Sequence, residues 1–397
     1  MPSTRSAFAA TQAAWRFHAN ERVKLSALIE PLRAVGRRRV EASTAPFALL
    51  VHDWSKLSFD HPQGKRDLVQ LTHKADVGYE ATAALLVDAD DGSPSAPMEL
   101  HLKTAAGVLS TRRRAPKAAP HLEQVLPTMK ASRKWGLARP LVHVIDREAD
   151  SVDHYRRWDA AGFRFLVRGD DRAVKWLGKA RLLSTIGGEL KRRGEFRRVR
   201  EVGYHDGKAQ LWVAETPVVL HRPARKNVDG CRYEKAGRPL ELRHVVVQLR
   251  DESGAVLAEW KLLSNVPAAW AAAEGLAFCY YWRWRIESFF KLLKSHGQQL
   301  ERWQQESGPA IARRLLVAAM ACVAAWHLQG DESPEAMELK SILVRLSGRQ
   351  TKRRRPHTAP ALLAGMWVLL SMLALLEHCD LDRLKALATQ LPYRDSG

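Results

Sequence analysis

Tyr280, Arg283, Glu287 and Lys294 stand three, four and seven residues apart in the segment YYWRWRIESFFKLLK. At about 100° per residue they fall at roughly 0°, −60°, −20° and −40°, so one helix would line them along a single narrow stripe. A phenol and two cations beside a lone carboxylate can hold phosphate while the carboxylate holds a metal. An exposed helix face with an (i, i+4) Arg–Glu pair has the same spacing, so spacing leaves both readings open. Two further carboxylates close apolar runs: Asp53 ends APFALLVHD and Asp146 follows LVHVI. Each alone fits a turn or helix cap. Brought together from strand, strand and helix, the three would form an all-oxygen site for Mg²⁺. Two such ions about 3.5–4 Å apart clamp the attacking and leaving oxygens of an in-line phosphoryl displacement.

Competing chemistries lack their motifs. There is no G-x-x-x-x-G-K-[ST] for ATP, and no G-x-S-x-G or H-E-x-x-H. One H-x-E, His121 to Glu123, has no accompanying P-C-x-x-C, and reads as chance.

The carboxylates need elements to carry them. Residues 1–44 read as helical. Residues 45–53 read as a buried strand, and 78–90 and 98–110 as a hairpin across the turn DDGSPSAP. A helix is expected over 120–135, a buried strand over 141–150, a helix after it and a strand at 163–169. Strands followed by alternating helix and strand describe a mixed α/β sheet. Residues 195–265 alternate like short β-strands and are expected to form an all-β insertion. Residues 268–295 read as one long helix, with further helices to the end. The 18-residue uncharged run 359–376 reads as a packed or intersubunit helix rather than a membrane span.

Lys and Arg number 63 against 43 Asp and Glu, a formal charge of +20, which favours a polyanionic partner. The cations cluster at Arg37–Arg39, Arg112–Arg114, Lys191–Arg193 with Arg197, Arg198 and Arg200, and Lys352–Arg355. Clusters spread along the chain suit an extended surface such as duplex DNA. Apolar residues at 46% argue against wholesale disorder. Four dispersed cysteines (Cys231, Cys279, Cys322, Cys379) exclude a disulfide scaffold and suit a reducing cytosol.

Tyr280-x2-Arg283-x3-Glu287-x6-Lys294 resembles the Y-R-E-K signature of DDE transposases of the insertion-sequence-four family. RWRIESFFKLLKSHG looks especially like the cut-and-paste enzyme of the composite kanamycin-resistance transposon. DREAD at 146–150 is similar to the family's second-aspartate motif, and HDWSKLSF at 52–59 takes the place of the first. The likeness extends more weakly from Ala14 to Leu387.

The resemblance implies a DNA transposase with an RNase H-like mixed sheet core. Asp53, Asp146 and Glu287 would be catalytic and bind two Mg²⁺, for which Mn²⁺ substitutes. Tyr280, Arg283 and Lys294 would hold backbone phosphates, and Arg168 would add a basic contact. Trp260, from the β-rich insertion, would stack on a flipped base. Arg147 and Glu148 are read as supporting residues. The implied partners are double-stranded DNA, as element ends and target, and a second copy of the chain in the DNA complex. No membrane partner is expected, and the setting would be the bacterial cytoplasm, at the nucleoid.

The implied organisation is a shortened helical DNA-binding region (1–44), the first part of the core (45–194), the insertion (195–265), the second part of the core (266–330) and a helical, dimerising region (331–397). Two departures stand out. Trp54-Ser55-Lys56 follow Asp53 where the family often has two threonines, and the chain before Asp53 is short for an end-recognition domain. A DNA-binding remnant without catalysis and a nuclease that never joins strands are the rival readings.

Overall fold

The computed structural model describes residues 4–114, 120–205, 207–228, 231–349 and 357–390. The cluster Lys352–Arg355 lies outside them. Three helices open the chain: α1 (Thr4–Ala19), α2 (Leu25–Leu28) and α3 (Glu30–Ala42). Five strands follow: β1 (Ala48–Leu57), β2 (Val69–Gln70), β3 (Val77–Val87), β4 (Pro94–Thr104) and β5 (Gly107–Ser110). Then come α4 (His121–Ser132), β6 (Leu141–Ile145), α5 (Val152–Ala160), β7 (Arg164–Arg168), β8 (Ala173–Trp176), β9 (Lys179–Leu182) and α6 (Leu183–Arg192). A β-rich stretch holds β10 (Arg197–Tyr204), β11 (Gly207–Leu220), β12 (Ala224–Val228), β13 (Cys231–Lys235), β14 (Leu240–Arg250) and β15 (Val256–Ser264). The remainder is helical: α7 (Ala273–Tyr281), α8 (Trp284–Lys291), α9 (Gly308–Gly330), α10 (Pro334–Leu346), α11 (Ala359–Leu376) and α12 (Leu381–Ala388).

Among the described residues, thirteen strands join one sheet, with the path β5-β4-β3-β1-β6-β7-β15-β14-β11-β8-β9. Pairing is antiparallel except for β1 with β6 and β6 with β7, which are parallel. The expected hairpin of β3 and β4 forms. The run 98–110 is not one strand, because Gly107 at φ 124° turns the chain back into β5. Nor does the first strand stop at Asp53. It runs on to Leu57, held by β3. The sheet continues unbroken into residues 195–265, since Leu262 to Ser264 of β15 pair with β7.

Strand parity divides the core. Leu49 and Val51 of β1, Val142 and Val144 of β6 and Leu166 of β7 pack with α7, α8 and α9. Ile145, Phe165 and Val167 face Val125 and Met129 of α4, Tyr155 and Trp158 of α5 and Ile186 of α6. The result is a mixed α/β fold, its mostly antiparallel sheet flanked by helices on both faces.

The α4 side also buries a polar layer. His52 lies 2.9 Å from His143, both rings fully enclosed, and burial lowers the His52 pKa to about 4. Close by, the Glu99 carboxylate accepts from the Arg112 guanidinium at 2.6 and 3.0 Å and from Thr128 at 2.7 Å, with His101 at 2.8 Å. Burial opposes ionisation of Glu99, but these partners outweigh it and hold its pKa below the usual carboxylate range. Arg112 therefore serves the interior, whereas Arg113 and Arg114 are exposed. Replacing Arg112 by Met would strand the Glu99 charge, and a loss of about 3–5 kcal/mol in urea unfolding is the expected outcome.

Candidate active site

Asp53 and Asp146 fall on the same side of the sheet by parity. Val51 and Val144, two residues before each, point to the α7–α9 face, and His52 and Ile145 point away. Residues 268–295, expected to be one helix, instead form α7 and α8 with a tight turn between them, in which the Arg283 and Ile286 amides bond three residues back. After α8 the helix loosens into a π-turn over Leu292–His296. Glu287 sits in the first turn of α8, where the helix dipole favours an anion.

The Arg283 guanidinium, 5% exposed, touches all three carboxylates. It lies 3.5 Å from Asp53 Oδ2 and 3.8 Å from Asp146 Oδ2, and it bonds Glu287 Oε1. Residues 53, 146 and 287 are thus brought together from β1, the end of β6 and α8. The Tyr280 hydroxyl, on a side chain only 2% exposed, donates to Asp146 Oδ1 at 2.9 Å. Tyr280 and Arg283, expected to hold backbone phosphates, here face inward to the carboxylates. Lys294 Nζ donates to the carbonyl of Lys56, three residues along β1 from Asp53, and lies 3.6 Å from Glu301. Arg168, at the end of β7, is half-buried, and its charge favours the ionised form of Asp146.

Trp260 also needs restating. It is 6% exposed, packs edge-to-face on Tyr280 with ring centroids 5.3 Å apart, and lines a cavity together with Tyr281, Trp282 and Trp284. Its β15 position puts it on the inward side with Leu262. Sequence reasoning also missed His121. Its ring stacks on Trp54 and faces Glu80 and Glu148, whereas Glu123 engages Arg157. Such pairings, 41 and 27 residues away along the chain, leave no local signal.

Burial raises the Asp53 pKa to about 6, against the Trp54 amide and Arg283, which favour its charge; Glu287 and Asp146 add to the rise. Burial works the same way on Asp146, but Arg283, the Arg147 amide and Tyr280 outweigh it and lower its pKa. With all three ionised, one guanidinium leaves two negative charges in excess. Such a hard-oxygen, electron-rich donor set fits Mg²⁺ or Mn²⁺. Among the described residues no three His, Cys, Asp or Glu side chains are already arranged around an ion's position, which accords with a cationic side chain among the carboxylates.

Residues 99–324 match the sequence model of the family described as Transposase DDE domain, which is more than half of the chain. The protein belongs to that family. The matched stretch includes Asp146 and Glu287 but not Asp53. Among solved structures the chain is similar to piggyBac transposase in a synaptic complex with hairpin DNA, at 13% identity and a TM-score of 0.32, over 89% of this chain and 59% of that one. The chain thus spans less than two thirds of that transposase. No curated protein matches.

A pH dependence follows from Asp53. Below its unfolded pKa of 3.8 the carboxyl is protonated in both states; as pH rises to about 6 the unfolded chain ionises first, so the folded state loses stability, and the loss then levels off. In metal-free buffer Asp53→Asn is expected to stabilise the protein by on the order of 3 kcal/mol at pH 7 and by little at pH 4. Thermal melts across that range check it. A metal ion held by Asp53 would compete with its proton, so Mn²⁺ affinity is expected to weaken as pH falls through about 6, seen as proton release in calorimetry.

Proposed function

We propose that this protein is a DNA transposase of the Y-R-E-K group of the insertion-sequence-four family, working by metal-dependent phosphoryl transfer on an RNase H-like core. The observation carrying the reading is the convergence of Asp53, Asp146 and Glu287 on one buried guanidinium, within a chain of the DDE domain family. The β4-β3-β1-β6-β7 part of the sheet, antiparallel on one side of β1 and parallel on the other, supports the core assignment.

Asp53, Asp146 and Glu287 would hold two Mg²⁺, which supply an activated water and stabilise the leaving oxygen. Arg283 neutralises the carboxylates and, once released, can take a backbone phosphate. Tyr280 holds Asp146 through its hydroxyl, and Arg168 adds positive charge beside it. Hydrolysis of one strand at each element end breaks a phosphodiester bond and frees a 3′-OH. That hydroxyl then attacks the opposite strand, forming a hairpin and displacing that strand's 3′-oxygen; reopening precedes transfer to target DNA. No covalent protein–DNA intermediate is required. The site of action would be bacterial DNA in the cytoplasm.

The DNA-bound assembly would be a homodimer. On α11, Leu362 and Leu363 are buried, but Trp367, Leu370 and Leu373 are 56%, 61% and 51% exposed, an apolar stripe suited to a second copy.

Two experiments test this reading. A plasmid carrying the gene with its native flanks, incubated with Mn²⁺, is expected to be nicked at the element borders, with Glu287→Ala lowering the rate at least a hundredfold and Tyr280→Phe leaving cleavage measurable. Binding without cleavage would favour a remnant, cleavage without joining a nuclease, and a phosphotyrosyl adduct would reject direct attack. Leu370→Glu with Leu373→Glu is expected to reduce paired-end complexes on native gels while leaving single-end binding intact.

A further inference from the structure

We propose that His121 is a positioning residue that sets the separation of the two aspartates, and with it the affinity for divalent metal. The inference rests on the transposase reading of the site. The ladder between β1 and β6 ends at the pair His52 and Ile145, one residue before each aspartate. Beyond it the chains part: β1 continues along β3, while the other segment turns through a 3₁₀ turn at Arg147–Ala149. Backbone hydrogen bonds between these two strands therefore stop short of the residues whose spacing matters most.

His121, the first residue of α4, crosses that gap. Its ring stacks on Trp54, the residue after Asp53, with centroids 3.9 Å apart and planes 20° from parallel. Nδ1 lies 3.2 Å from Glu80 Oε2 on β3, and Nε2 lies 3.2 Å from Glu148 Oε2, two residues after Asp146. One imidazole thus ties the segment following each aspartate, from the side of β1 opposite the carboxylates. It acts through Trp54 and Glu148 without touching the reacting groups. Trp54, in the Trp54-Ser55-Lys56 stretch where the family often has two threonines, supplies the flat apolar face of this contact. Groups hydrogen-bonded directly to metal ligands typically change affinity by about 10–100-fold when removed, and a support one contact further out is expected at the lower end of that range.

Mn²⁺ titration calorimetry on the full chain without DNA tests the idea. His121→Ala is expected to weaken binding about tenfold, and Trp54→Phe, which keeps a stacking face, to stay near wild type. Saturating Mn²⁺ is expected to restore nicking by His121→Ala, the mark of a metal-affinity defect. Because His121→Ala removes a half-buried ring, melting in EDTA is measured alongside, and Glu148→Gln, on a largely exposed side chain, provides a milder break expected to weaken binding in the same direction. Wild-type affinity in both His121→Ala and Glu148→Gln would overturn the proposal. A wild-type chain that binds no Mn²⁺, or an Asp146→Asn variant that binds it as tightly, would instead reject the metal-site reading and this inference with it.

Discussion

Three carboxylates cannot share a half-buried site unless something positive stands among them, and here that is Arg283. Like charges a few ångströms apart in a low-dielectric setting repel by several kcal/mol, and a guanidinium with five donors can satisfy more than one acid at once. Its own burial works against its charge, yet Tyr280, Asp146, Glu287 and Asp53 together raise its pKa. The compensation is incomplete: burial still leaves Asp53 with a raised pKa, and among the described residues the Arg283 Nε atom is buried without a partner. With all three acids ionised the cluster keeps two negative charges in excess, and the proposed function rests on that excess.

The fold serves that cluster by parity. β1 and β6 run parallel and in register, so their alternation puts His52 with His143 on one side of the sheet and directs Asp53 and Asp146 to the other. The α4 side is occupied by a buried network around Glu99 that ties β4 to Arg112 and to Thr128 of α4. The helix side contributes Tyr280, Arg283 and Glu287 through the tight turn between α7 and α8. That turn keeps the stripe on one face despite the interruption, because tightening a single turn rotates the following residues only slightly.

Much of the positive charge that suggests DNA also has structural employment. Arg112 pairs with Glu99, Arg197 with Glu274, and Arg192 and Arg193 with Glu189, while the Arg200 guanidinium lies 3.8 Å from the Phe278 ring centre. A surplus of +20 remains a statement about the surface as a whole, and individual clusters in the sequence do not identify the contact residues.

Sequence by itself determined the elements that local forces dictate. Apolar runs bounded by turn residues marked β1, β3 and β6, the Y-R-E-K spacing marked one face, and the aspartates marked the ends of apolar runs. Periodicity carries this information because side-chain direction repeats every 2 or 3.6 residues. Tertiary structure decided the rest: that β15 joins β7 and extends the sheet, that Trp260 faces Tyr280 rather than solvent, that Tyr280 and Arg283 turn to the acids, and that His121 lies between Trp54 and Glu148. Each of these depends on groups tens of residues apart meeting in space. Which partner a polar side chain takes, and how far its charge is compensated, is set by that meeting and leaves no periodic trace in the chain.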